Sequence, residues 1–395
     1  MPASLDDLKN RCCAEVDSLA DKLVDISHRI HATPELAFQE HQACSLLVSA
    51  SRRHGLDVRQ GAFGLETAFA ADFGAALGPR IAIMSEFDAL PEVGHACGHN
   101  MIAAIGLGAT LALHALREEL GGSVRFLGTP AEERGCGKEL MARSGAFDGM
   151  DAAMMLHPAC VDAKAIRTIC ISEVFVTYAG RTGHPALGTG TSAYAVDAAV
   201  VAHQAIVKLR QTFQQGEQIH GVIPGCGDVP NVFPAKAKAH YFVRAATIEQ
   251  LRALRGAVED CLRLGKSVAG CDVEVRWSDA DYLGMKVNLP LADSYERNAG
   301  SLGRKLIDYR GLPAGGGDIG NVSVRVPTLH PLISCAPFGV MLHDPEFAKY
   351  AVSLDGDAAI IDGAKALAMT ALDFFRDESL RRQTRIAFDA EGLAA

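Results

Sequence analysis

The stretch RIAIMSEFDALPEVGHACGHNMIAAIGLGATLALHALREELGGSVRFLG, residues 80–128, decides the fold. Its two ends, Arg80–Ser85 and Ser123–Gly128, are apolar runs of strand length, and residues 100–120 between them form an apolar segment of helix length. Strand, helix, strand is the order a parallel sheet demands, because parallel neighbours need a long crossover and a helix usually supplies it. A third short apolar run at residues 151–156 extends the series. Upstream, residues 12–31 carry Val16, Leu19, Ala20, Leu23 and Ile26 at helical spacing, and a long helix over residues 357–375 returns to the same style. The expectation is an α/β layer with a largely parallel central sheet.

Between these parts the pattern changes. Residues 171–180 (ISEVFVTYAG) alternate and are β-branched, and residues 192–212 read as an amphipathic helix. Lys236–Ala245 alternates polar with apolar as a strand with one solvated face does. A second helix is expected over residues 247–268, with Thr247 as N-cap and Gln250 three residues on, and then a strand over 271–277. This βαββαβ-like order predicts a small α+β unit inserted into the larger layer.

Length agrees, since 395 residues exceed the roughly 250–300 that one hydrophobic core holds. With 49% hydrophobic and 22% charged residues the chain belongs with folded globular proteins rather than disordered ones. Its 38 basic and 47 acidic residues leave a net charge of −9, which argues against a nucleic-acid or membrane partner and for a small molecule. The longest apolar run, residues 101–116, falls short of the roughly 20 residues of a membrane span. Residues 1–10 include Asp6 and Asp7 and show no export pattern. Eleven cysteines, an odd number with Cys12 and Cys13 adjacent and no regular spacing, do not resemble a disulfide framework. A reducing cytoplasm is the expected compartment.

The chemistry concentrates at strand ends. His95-Ala96-Cys97-Gly98-His99 lies between the first strand and the apolar helix, Glu132-Glu133 follows the second strand, and His157 follows the third. Open α/β sheets place ligands at the carboxyl ends of their strands. Thiolate, imidazole and carboxylate are the donor set of zinc-like divalent ions, and Gly98 favours a turn from which Cys97 and His99 reach one centre. Adjacent carboxylates suit a hydrolytic metal site, which needs one to hold a metal and another to stay uncoordinated and carry a proton. Competing motifs fail: Gly188-Thr189-Gly190 does not follow a strand, and no phosphate loop or serine nucleophile elbow occurs. Gly315-Gly316-Gly317 before Asp318 reads either as a flexible loop that admits a ligand closely or, equally, as an ordinary turn.

Taken together, the runs HRIHATPELAFQEH (from His28), SEFDALPEVGHACGHN (from Ser85), GTPAEERGCGKELM (from Gly128), LHP (from Leu156), GHPA (from Gly183), DVPNVFP (from Asp228) and LHDPEF (from Leu342) resemble a known family. It is the dinuclear metallopeptidase family of aminoacylases, carboxypeptidases, auxin-conjugate amidohydrolases and aminobenzoyl-glutamate hydrolases, and its CGH-bearing branch is the nearer likeness. The resemblance implies a phosphorylase/hydrolase-like catalytic domain with a largely parallel sheet, residues 1–170 and 285–395, and an inserted ferredoxin-like lid and dimerisation domain, residues 171–284. It implies two divalent ions, zinc or manganese, held by Cys97, His99, Glu133, His157 and His343, with Cys97 as bridge. Glu132 becomes the general acid/base and Asp88 orients a ligand from behind, while a ligand role for Glu86 is not implied. His184, Asn231 and Arg244 match lid positions that hold the scissile carbonyl or the substrate carboxylate across a homodimer. The activity implied is hydrolysis of an N-acyl amino acid or related amide, or of a dipeptide. A binding protein that has lost turnover is disfavoured because Glu132 and all five ligand candidates are present.

Overall fold

The computed structural model describes residues 3–182, 194–224, 226–227, 229, 232, 234–312 and 315–391. It divides into two compact units, Met1–Arg167 with Met285–Ala395, and Thr168–Gly284.

The first unit opens with α1 (Leu5–Ala32), capped by Ser4, whose hydroxyl accepts the Asp7 N–H. Its buried stripe is Leu8, Cys12, Val16, Leu19, Leu23, Ile26 and Ile30, a helical repeat of three and four. Then come α2 (His41–Arg53), β1 (Val58–Gln60), β2 (Phe69–Gly74), β3 (Arg80–Ser85), α3 (His99–Ala115), β4 (Ser123–Gly128), α4 (Gly137–Arg143), β5 (Ala152–Met154) and β6 (His157–Ala159). The inserted unit follows with β7 (Cys170–Ala179), α5 (Ala195–Leu209), β8 (Gln218–Val222), β9 (Lys236–Ala245), α6 (Ile248–Ala269) and β10 (Asp272–Trp277). The first unit resumes with α7 (Leu289–Ser301), α8 (Ile319–Ser323), β11 (Thr328–Leu329), β12 (Leu332–Ser334), α9 (Pro345–Tyr350), α10 (Leu354–Arg376) and α11 (Glu378–Glu391).

The main sheet runs β1-β2-β4-β3-β5-β11. Strands β4, β3, β5 and β11 are mutually parallel, while β2 pairs antiparallel with β4 and β1 antiparallel with β2. The expected α/β layer is therefore present, with an antiparallel edge. α3 is buried on every side from His99 to Leu113, as its unbroken apolar sequence requires. Gly106 lets it approach the sheet, because a Cβ there would lie 2.2 Å from Ser85 Oγ and 2.8 Å from Met84 O. The helix begins at His99, one residue earlier than its apolar run suggests, and this seats His99 in the first turn. His157 likewise opens the short strand β6, paired with β12, rather than trailing a longer third strand.

The inserted unit is an antiparallel sheet in the order β10-β7-β9-β8, with α5 and α6 supplying buried alanines and leucines to its core. The Thr247 capping box closes as read, Thr247 accepting from Gln250 N–H and Gln250 reaching back. The first residues of the helix expected over 192–212, and the Gly188-Thr189-Gly190 stretch, lie outside the described residues. No helix among the described residues is long and apolar enough to cross a membrane.

Candidate metal centre

β4, β3 and β5 are neighbours in the parallel part of the sheet, so their carboxyl ends open side by side. From the end of β3 come Glu86 and Asp88, from the end of β4 Glu132 and Glu133, and just past β5 His157. Cys97 and His99 enter from the turn into α3. Gly98 makes that turn at φ 77°, and a Cβ on it would lie 2.5 Å from Pro158 Cγ, so only glycine fits between the two candidate ligands. His343 arrives on a tail loop at φ 68°, a left-handed conformation costing roughly 1–2 kcal/mol in a non-glycine residue. Its N–H donates to Ala96 O at 2.9 Å, which ties this strained residue beside Cys97.

These side chains converge as two groups that share Cys97. Donor atoms of Cys97, His99 and His157 lie within 4.8 Å of one another, and so do those of Cys97, Glu133 and His343. Cys97 Sγ is 3.6 Å from His157 Nε2, and His343 Nε2 is 3.4 Å from Glu133 Oε2. His99 donates Nδ1–H to Asp88 Oδ1 at 2.9 Å, which turns the Nε2 lone pair inward, and Asp88 Oδ2 accepts the Glu133 N–H at 3.0 Å. His157 Nδ1 donates to the Pro158 carbonyl at 2.7 Å and presents its Nε2 in the same way.

The fit to a cation is visible in what the protein leaves unmet. His99 Nε2 and Glu133 Oε1 are buried without a hydrogen-bond partner, a cost of about 1–3 kcal/mol each unless something positive sits between them. They lie 3.8 Å apart. Burial and the Glu133 charge push the Cys97 thiol well up, so a thiolate there calls for a cation beside it. The adjacent carboxylates are driven apart. Burial and the charges of Glu86 and Glu133 push Glu132 well above the usual carboxylate range, whereas for Glu133 burial is outweighed by His343 and His99 and its pKa falls. One of the pair is suited to hold a proton and the other to stay charged.

Arg244 lies on β9 of the inserted unit, with Nη1 3.4 Å from His220 Nδ1 and its guanidinium 5.3 Å from the Phe242 ring. Burial lowers its pKa, and among the described residues no carboxylate offsets this. His184 and Asn231 lie outside the described residues.

Three residues near the centre escape the sequence reading. His330, 5% exposed, stands perpendicular to His157 with ring centroids 5.7 Å apart, and its signal is a second Leu-His-Pro triplet at Leu329-His330-Pro331 matching Leu156-His157-Pro158. Lys138 is fully buried, its Nζ bonded to Glu86 Oε1 and, at 2.6 Å, to Asp318 Oδ1. Asp318 follows the glycine run and Lys138 lies within GTPAEERGCGKELM, but neither pattern assigns it a role.

Known proteins place this arrangement. The description "Peptidase family M20/M25/M40" matches residues 82–373. A Xaa-Arg dipeptidase of Mus musculus is 35% identical across 98% of this chain and 93% of its own. One component of the p-aminobenzoyl-glutamate hydrolase of Escherichia coli (strain K12) is 29% identical across 67% of this chain and 59% of its own. Among solved structures, the Bacillus subtilis YXEP protein, described as a dinuclear metal binding peptidase of the M20 family, superposes with a TM-score of 0.68 at 21% identity, over 91% of this chain and 99% of that one. The parallel sheet, the donor groups at its strand ends and a match across most of the sequence lead to one conclusion: the chain belongs to peptidase family M20/M25/M40 and is a hydrolase of amide C–N bonds.

Proposed function

We propose that the chain hydrolyses an amide whose leaving nitrogen belongs to an amino acid, as in a dipeptide or an N-acyl amino acid, with two zinc or manganese ions. The observation that carries this is the pair of donor groups meeting at Cys97, with His99 Nε2 and Glu133 Oε1 buried and unpartnered between them. His99 and His157 would hold one ion, Glu133 and His343 the other, and Cys97 both. When bound, such ions supply a nucleophilic water near neutral pH and a Lewis acid for the scissile carbonyl.

The chain's own residues do the rest. Glu132 takes the proton of the attacking water on a carboxylate oxygen, holds it, and delivers it to the departing nitrogen. Asp88 keeps the His99 ring oriented through Nδ1–H, and its other oxygen fixes the backbone of Glu133. The inserted unit acts as lid and dimerisation domain of a homodimer, where His184 stabilises the oxyanion and Asn231 and Arg244 bind the substrate, the Arg244 guanidinium donating to the substrate's carboxylate. The family resemblance supports these three roles. A reducing cytoplasm is the compartment proposed, because the number and spacing of the cysteines do not resemble a disulfide framework.

Of the two substrate types, the dipeptide is favoured by the likeness to a Xaa-Arg dipeptidase over nearly the whole chain. The test is release of free amino acid from a panel of dipeptides with basic and neutral C-terminal residues, N-acetyl amino acids and aminobenzoyl-glutamate, with Zn2+ or Mn2+ supplied. Dipeptides are expected to turn over fastest. No release from any amide in the panel contradicts the proposed function.

A further inference from the structure

An all-carboxylate cluster stands beside the two donor groups. Carboxylate oxygens of Glu86, Glu132 and Asp318 lie within 4.8 Å of one another, close enough to surround a cation. A cation from the chain is already in contact with two of them. Lys138, entirely buried, extends its ammonium to Glu86 Oε1 and Asp318 Oδ1, and its backbone N–H donates to Asp318 Oδ2 at 2.7 Å. Burial works against that charge, and Asp318 and Glu86 more than restore it, so Lys138 stays protonated. The second oxygen of Glu86 is buried, has no hydrogen-bond partner and lies 3.5 Å from His99 Nε2. Glu132 therefore stands between two places that attract positive charge, since its oxygens also fall within 4.8 Å of donor atoms of His99 and Glu133.

We infer that Lys138 is a tethered substitute for a metal ion: its ammonium, bonded to Glu86 and Asp318, supplies the positive charge of the Glu86, Glu132, Asp318 cluster and so keeps Glu132 from being recruited as a metal ligand. This rests on the reading of Glu132 as proton carrier. A carboxylate bound to a divalent ion has its basicity spent, whereas one beside an ammonium remains able to accept a proton. Three carboxylates with no sulfur or nitrogen donor suit a hard ion such as Mn2+, so emptying the cluster of its ammonium opens it to that metal. Lys138 is thus a positioning residue. Gly317 adds to the same arrangement, because a Cβ there would lie 2.6 Å from Glu132 Oε1.

The experiment counts ions. Full-length Lys138→Met and wild-type protein are stripped with chelator and titrated with Mn2+ alone, and bound metal is measured by equilibrium dialysis. Lys138→Met is expected to bind one more equivalent per chain than the wild type, with turnover reduced at least ~10²-fold. Lys138→Met/Asp318→Asn, which removes one carboxylate together with the ammonium, is expected to return to the wild-type count. Because the comparison is between variant and wild type, a wild type that binds no Mn2+ contradicts the proposed metal centre while leaving the difference measurable. The inference is overturned by an unchanged count in Lys138→Met, by an extra ion that persists in the double variant, or by an extra ion with normal turnover. Failure of Lys138→Met to fold even at saturating Mn2+ overturns it too, since the vacated cluster should accept the ion and be stabilised by it.

Discussion

Glu132→Gln is expected to lower turnover by ~10²–10⁴-fold while leaving metal content unchanged, the range general acid/base catalysis contributes. Glutamine keeps the size of the side chain and its place beside Glu133 but cannot take up a proton at pH 7. The neighbouring variant separates the two roles: Glu133→Gln should lose one metal equivalent, because Glu133 falls in the donor group with Cys97 and His343. Metal analysis with steady-state kinetics on both variants checks this. Near-normal turnover in Glu132→Gln would remove it from the mechanism.

A still larger effect is expected at Cys97. It alone is common to both donor groups, so Cys97→Ala takes a ligand from each, and metal content should fall toward zero with activity lost in parallel. His343→Ala, which touches one group, should cost a single equivalent. Were Cys97 only a small buried hydrophobe, the alanine variant would be a minor change in packing and would keep its metal. Thiol labelling gives a second readout, since bound ions would shield the sulfur. Cys97 should react in stripped wild-type protein and resist in loaded protein, and equal labelling in both forms would contradict a bridging thiolate.

How much of this was legible in the sequence depends on how local the cause is. Arg80–Ser85, Ser123–Gly128 and Lys236–Ala245 carry their strand pattern within a few residues, and the structure forms strands over those same bounds. β2 is Phe-Ala-Ala-Asp-Phe-Gly, without a β-branched residue, and forms because it can pair with β4. β11 and β12 span two and three residues, below the length at which periodicity means anything, and β8 buries only Ile219. α2 has Glu40 at its N-cap without a side-chain cap bond, and the Gln42 and Ala43 N–H groups go instead to the Glu35 carboxylate, outside any local capping pattern.

The candidate centre shows the same division. Cys97, His99, Glu132, Glu133 and His157 were readable because each sits at a strand end or helix entry, where an α/β sheet gathers function. His343 entered only through the family resemblance, and its place is set by a left-handed backbone and the bond to Ala96. Lys138 could not be read: its partners Glu86 and Asp318 are 52 and 180 residues away in sequence, and a lone lysine early in a short helix has the look of a solvated one.

The central claim is that amide hydrolysis here depends on two divalent ions at one Cys97-centred site. Its most direct test is titration of chelator-stripped protein with Zn2+ or Mn2+, following amino acid release from a single dipeptide substrate. Activity should be absent in the stripped protein and should rise to a plateau at two equivalents per chain. Full activity in the stripped protein, or a plateau reached with no stoichiometric binding, would contradict the account.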